Sequence, residues 1–138
     1  MTVPKLQSFV LDTTDARRLA EFYRQLLGLE YRKGDEPPPA GSGDQRETGW
    51  LVLLPPDGSW RLAFQQTDGV RPTSWPDAEV PQQAHLDTSV DSVEELDRQH
   101  ERVLELGGTL RFDRRDDPDE PLRAYADPDG HIFCIFVA

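Results

Sequence analysis

Apolar positions along this chain follow two periods, and the two alternate in the same order twice. Behind Asp15, the residues Leu19, Phe22, Tyr23, Leu26 and Leu27 keep the i, i+3, i+4, i+7 spacing that puts them on one face of a helix. The carboxylate of Asp15 suits the free N–H groups of a first turn and Gly28 suits the stop, so the pattern predicts a helix over Ala16–Leu27. A second helix is predicted from about Ser92 to Leu106, with Val93, Leu96, Val103 and Leu106 as its stripe, Arg98, Glu101 and Arg102 on the wet side, and Gly107-Gly108 ending it. His100 continues the stripe from Leu96 and reads as a packing or surface residue, not as chemistry. Short extended runs predict strands at 6–12, 29–33, 49–54 and 60–66, then at 83–90, 109–112, 121–126 and 131–137. Each half thus reads β, α, β, β, β.

Local echoes support the repeat. Leu11-Asp12-Thr13-Thr14-Asp15 returns as Leu86-Asp87-Thr88-Ser89-Val90-Asp91 with one residue inserted, each copy leading into a helical pattern that stops at glycine. Pro56-Asp57-Gly58 before Ser59-Trp60-Arg61-Leu62-Ala63-Phe64 is matched by Pro128-Asp129-Gly130 before His131-Ile132-Phe133-Cys134-Ile135-Phe136. Such a tripeptide turns the chain because proline sets φ, aspartate bonds back to the backbone and glycine takes positive φ. The segment 34–49 is rich in proline, glycine and charge and reads as a mobile loop, and Arg114 to Glu120 reads as a solvated charged loop. The expected organisation is one α+β domain of 138 residues, made of module 1 (1–67), a linker (68–81) containing Trp75, and module 2 (82–138).

Composition narrows the function classes. With 36% hydrophobic and 30% charged residues the chain matches a water-soluble globular protein, and no apolar run approaches the roughly 18 residues that cross a bilayer. The N-terminal stretch lacks the pattern of a secretory signal, so a cytoplasmic location is expected. The single cysteine, Cys134, sits in an apolar run and reads as a buried thiol in a reducing compartment. A net charge of −11, from 15 basic against 26 acidic residues, argues against nucleic acid, which demands a cationic face. It favours a neutral or cationic small molecule, although acidity also serves solubility.

The residues Asp15, Leu19-Ala20-Glu21-Phe22-Tyr23 and Leu26-Leu27-Gly28-Leu29, then Ala84-His85-Leu86-Asp87, then Ala126-Asp127-Pro128-Asp129-Gly130 before an apolar strand, together resemble the vicinal oxygen chelate superfamily. That superfamily includes glyoxalase I, bleomycin-resistance proteins and extradiol dioxygenases, and the likeness spans nearly the whole chain. It implies tandem βαβββ modules that curl into a cup, a homodimer, and, in metal-dependent members, one metal ligand on each of four cup-lining strands. Those positions fall here at Ser8, at Ala63 (or Leu62 if the hairpin slips by one residue), at His85 and at Cys134, and His85 alone matches the family's ligands. No cofactor is therefore expected, with a divalent metal left open if His85, Asp87 and Cys134 rebuild a site, since imidazole, carboxylate and thiolate together can hold zinc or iron.

The expected cleft is lined by Ser8, Val10, Asp12, Ala63, Gln65, His85, Asp87, Cys134 and Phe136. The resemblance implies either a binding protein that sequesters a drug or metabolite, with Trp50, Trp60 and Trp75 offering flat apolar surface, or an enzyme. The enzyme would be a metal-dependent lyase, isomerase or dioxygenase with a site rebuilt around His85, or a metal-free catalyst with His85 as base and Asp87 orienting it. A scaffold whose contacts matter more than its cup is the third alternative.

Overall fold

The computed structural model describes residues 2–42 and 49–138. Among them the chain forms two compact units, Met1–Val70 and Arg71–Ala138, each a four-stranded sheet with one helix.

In the first unit, β1 (Phe9–Thr13), α1 (Ala16–Leu27), β2 (Glu30–Tyr31), β3 (Trp50–Leu54) and β4 (Leu62–Gln66) build a sheet of order β1-β4-β3-β2. β1 runs parallel to β4 and the remaining pairs are antiparallel. Asp15 caps α1 by accepting from the backbone N–H of Arg18 at 3.1 Å, and Gly28 ends it at φ 66°, a left-handed conformation that glycine adopts without a Cβ clash. Gln66 ties the start of the helix to the end of β4: its side-chain oxygen accepts from the N–H of Ala16 at 2.8 Å, and its amide donates to the carbonyl of Thr14. The helix face formed by Leu19, Phe22, Tyr23 and Leu26 is buried, and Tyr23 stacks on Phe64 of β4 with ring centroids 5.9 Å apart. Removing such side chains from water stabilises by about 1.5–3 kcal/mol each.

In the second unit, β5 (His85–Val90), α2 (Val93–Leu106), β6 (Thr109–Arg114), β7 (Leu122–Ala126) and β8 (Ile132–Val137) repeat the plan in the order β5-β8-β7-β6, with β5 parallel to β8. Ser92 caps α2 by accepting from the N–H of Glu95 at 3.1 Å. Leu96 and Val103 are fully buried, and Tyr125 stacks on Phe133 at 5.4 Å. His100 lies 3.0 Å through Nδ1 from the hydroxyl of that buried Tyr125, so it satisfies a core phenol. The turn of the repeat is the same in both units: Gly58 N–H donates to the carbonyl of Pro55, and Gly130 N–H to that of Asp127, each at 2.9 Å.

Boundaries differ from expectation where pairing decides them. β1 starts at Phe9 rather than residue 6, because its partner β4 starts at Leu62 and the two are in register there. The strand expected at 29–33 shrinks to Glu30–Tyr31, opposite Leu54 and Leu53. β6 runs two residues longer than expected, since Asp113 and Arg114 pair with Arg123 and Leu122. Of the segment 34–49, residues 43–48 lie outside the described residues. In the described part Asp35 is held on both sides, its carboxylate accepting from the N–H of Val52 at 2.9 Å and its carbonyl from Arg17 at 2.7 Å.

Residues 71–81, expected within the linker, pack onto the second sheet. A bulge between Leu110 and Phe112 leaves Arg111 outside the pairing register, and its guanidinium donates to the carbonyls of Thr73 at 3.1 Å and Trp75 at 3.0 Å. Trp75 meets Phe112 edge-on at 5.9 Å and packs against the buried side chains of Ala124, Ala126, Ile132 and Cys134.

Candidate functional site

Alternation along β5 turns Leu86, Thr88 and Val90 one way and the more exposed His85, Asp87 and Ser89 the other. Register extends that second face across the sheet: His85 is opposite Ile132, Asp87 opposite Cys134, and Ser89 opposite Phe136, while Ala126, Ala124 and Leu122 of β7 continue it beyond β8. The face therefore has a polar edge on β5 and an apolar middle. Ala124 and Ala126 keep that middle low, and Trp75 lies against it.

Three side chains converge at the boundary between edge and middle. Nε2 of His85 lies 3.3 Å from Oδ1 of Asp87. Together with Sγ of Cys134 their ligand atoms fall within 4.8 Å of one another, the one such His/Cys/Asp/Glu group among the described residues. Cys134 is buried, and burial first of all pushes its thiol up to about 11. The Asp87 carboxylate adds to this through its charge and by accepting the thiol proton, while the Arg114 guanidinium acts the other way. Cys134 is thus a protonated, hydrogen-bonded thiol at neutral pH, not a free nucleophile. Arg114, at the end of β6, keeps its own partner Glu120 at 3.0 Å.

On the first unit Val10 faces Ala63 and Asp12 faces Gln65 across β1–β4, with Trp50 opposite Gln65 on β3. Ser8 stands just ahead of β1 and is half-buried. Of the expected lining residues, Val10, Asp12, Ala63 and Gln65 therefore adjoin within the first unit, and His85, Asp87, Cys134 and Phe136 within the second. The four-strand ligand set implied by the resemblance does not fit a metal: Ala63 is fully buried and has no donor, and Leu62 is buried and apolar too. The donors present instead cluster on one sheet. Trp75, expected to offer flat apolar surface, lies against the second face, whereas Phe112 and Arg111 were missed as contributors to it; the signal for Phe112 was an aromatic residue in the strand that begins at Thr109, and Arg111 carried none.

A family model described as the glyoxalase-like domain matches residues 8–136. The chain belongs to that family. With its tandem modules this glyoxalase-like domain takes its place in the vicinal oxygen chelate superfamily. Solved structures agree on the fold. A hypothetical protein from S. aureus is 19% identical, covering 97% of each chain with a TM-score of 0.67. The fosfomycin resistance protein FosX from Mesorhizobium loti is 17% identical over 99% of this chain and 94% of its own, with a TM-score of 0.66. FosX from Listeria monocytogenes is 16% identical over 99% and 93%, with a TM-score of 0.68, and a variant of it was crystallised with Mn(II) and 1S,2S-dihydroxypropylphosphonic acid. A comparison with curated proteins finds no match. Among the described residues, no helix of the glyoxalase-like domain is long and apolar enough to cross a membrane.

Proposed function

We propose that this glyoxalase-like domain binds a small organic molecule, neutral or cationic, and holds it without the four-strand metal set of its superfamily. The observation that carries this reading is the second unit's sheet face: an apolar middle of Ala124, Ala126, Ile132 and Cys134 beside the exposed polar pair His85 and Asp87. A low apolar floor with a few placed polar groups at its margin is the make-up of small-molecule sites. Trp75 and Phe112 supply ring surface, Phe136 extends the floor, Asp87 supplies a carboxylate for a cationic group, and His85 supplies a hydrogen-bonding nitrogen. On the first unit's sheet Ser8, Val10, Asp12 and Gln65 would offer the corresponding ligand-facing set, with Ala63 buried beneath them. That a FosX crystal holds a small phosphonate supports the ligand size class. The net charge of −11 turns the preference here away from anions.

The test is thermal denaturation against a panel of neutral, cationic and anionic aromatic and aliphatic compounds. A compound at 100 times its Kd adds about 2.7 kcal/mol and raises Tm by roughly 8 °C in a chain of this size. The shift should vanish or shrink sharply in Asp87→Asn and Phe136→Ala. A panel with no shift, or a shift equal in wild type and both variants, defeats the reading.

A further inference from the structure

We propose that His85, Asp87 and Cys134 form a metal site of their own, confined to the second unit and selective for a borderline divalent cation, zinc foremost. The proposal stands apart from the organic ligand above, since it concerns what the protein binds with no such molecule present.

Backbone geometry explains the convergence. His85 and Asp87 are two residues apart on one face of β5, a span of roughly 6.5 Å, and Cys134 sits beside Asp87 on the neighbouring strand, roughly 4.8 Å away. Side chains of these lengths close that triangle until their ligand atoms all lie within 4.8 Å. In a tetrahedral zinc site with bonds of about 2.0–2.3 Å, ligand atoms stand about 3.3–3.6 Å apart. The separation of His85 Nε2 and Asp87 Oδ1, 3.3 Å, already equals such an edge and is longer than an ordinary N–H···O hydrogen bond. The thiol has about 1 Å to close, within reach of a side-chain rotation.

The chemistry of the set chooses the metal. One imidazole nitrogen, one carboxylate oxygen and one sulfur suit zinc, cobalt or iron(II), whereas magnesium and calcium prefer oxygen alone. On binding, the Cys134 thiol would give up its proton to solvent, and the resulting thiolate with the Asp87 carboxylate would offset the two charges of the ion, leaving a neutral centre beside the apolar floor. His85 and Asp87 are 43% and 58% exposed through their side chains while Cys134 is buried, so the three residues approach the ion from the protein and leave its outer side to water or a ligand atom. Three protein ligands with an open position describe a reactive rather than a purely structural zinc site.

Untagged protein, stripped with chelator and dialysed, should take up zinc at one equivalent per chain by titration calorimetry and elemental analysis. Its affinity should fall on the order of 100-fold or more in His85→Ala and in Asp87→Asn, two exposed positions whose variants keep the fold. Cobalt(II) substitution should give the near-ultraviolet charge-transfer band of a single thiolate, lost in Cys134→Ser while circular dichroism shows that variant folded. Sub-stoichiometric zinc, an affinity unchanged in His85→Ala, a cobalt spectrum without the thiolate band, or tighter binding of magnesium or manganese than of zinc each overturns the proposal.

Discussion

Cys134 in the metal-free protein offers the sharpest test of the site's electrostatics, because its environment shifts a quantity that a simple reagent reads. Its thiol stands at about 11 against an ordinary 9.0, through burial first and the Asp87 carboxylate second. Two units correspond to a hundredfold lower thiolate fraction, about 0.03% rather than about 3% at pH 7.5. Alkylation by iodoacetamide in the presence of chelator should therefore run at least about 100-fold slower in the folded protein than in urea, with steric shielding adding to the factor. The folded-state rate should climb about 50-fold between pH 9 and 11, where an ordinary thiol gains only about twofold. Asp87→Asn removes the negative charge and weakens the acceptor, so it should speed the reaction without restoring the urea rate, because burial remains. The same shift is linked to stability: a thiol whose folded value is raised favours the folded state fully below pH 9 and loses that contribution as pH rises towards 11, an amount of about 3 kcal/mol at most. Alkylation that rises only about twofold above pH 9 in protein still folded by circular dichroism, or that is unmoved by Asp87→Asn, refutes this account of the site.

Three further outcomes test the frame that holds it. Gly130→Ala places a Cβ 2.4 Å from Cβ of Pro72 at a φ of 91°, so urea denaturation should show a loss of more than about 2 kcal/mol and a disturbed Trp75 fluorescence. Asp97 bonds Arg115 at 2.8 Å and Arg123 at 3.0 Å, and chiefly the Arg115 hydrogen bond lowers its carboxyl to about 2. Its contribution is present above about pH 4 and disappears as pH falls towards 2; because the side chain is 42% exposed, Asp97→Asn should cost about 1 kcal/mol or less at pH 7 and flatten the acid limb of stability between those values. Asp15→Ala removes the cap of α1 and should cost about 1 kcal/mol in thermal or urea unfolding, with Asp15→Asn close to wild type.

The fold was legible because it is written in local patterns that recur. Both helices with their glycine stops, and the cap of the first at Asp15, follow from periodicity and capping chemistry, which depend on neighbours in sequence; Ser92, expected as about the first residue of the second helix, is its cap. The ends of β1 and β6 were not legible, since each is set by a partner strand far along the chain: Leu62 decides where β1 begins, and Arg123 with Leu122 decides where β6 ends. The packing of residues 71–81 was hidden for the same reason. Its anchor is Arg111, which points to the backbone carbonyls of Thr73 and Trp75 only because a bulge displaces it, and a bulge leaves no plain mark in a sequence.

At the site, alternation alone was enough to place His85 and Asp87 on one face, and the resemblance drew attention to Cys134; the missing element was register. A slip of β8 by one residue would turn Cys134 towards α2 and leave Phe133 or Ile135 beside Asp87, with no third donor. Register makes one structural fact serve two purposes. The pairing of Asp87 with Cys134 gives a hydrogen-bonded, protonated thiol in the empty protein, and it sets the imidazole, carboxylate and sulfur at nearly the separations a zinc ion requires. A bound metal would therefore compete with the thiol proton for the same carboxylate. A neighbouring change that strengthens Asp87's hold on the thiol proton should weaken the metal, so among substitutions that leave His85, Asp87 and Cys134 in place slower alkylation should go with weaker zinc binding, whereas Asp87→Asn, which removes a ligand, should speed alkylation and weaken zinc together.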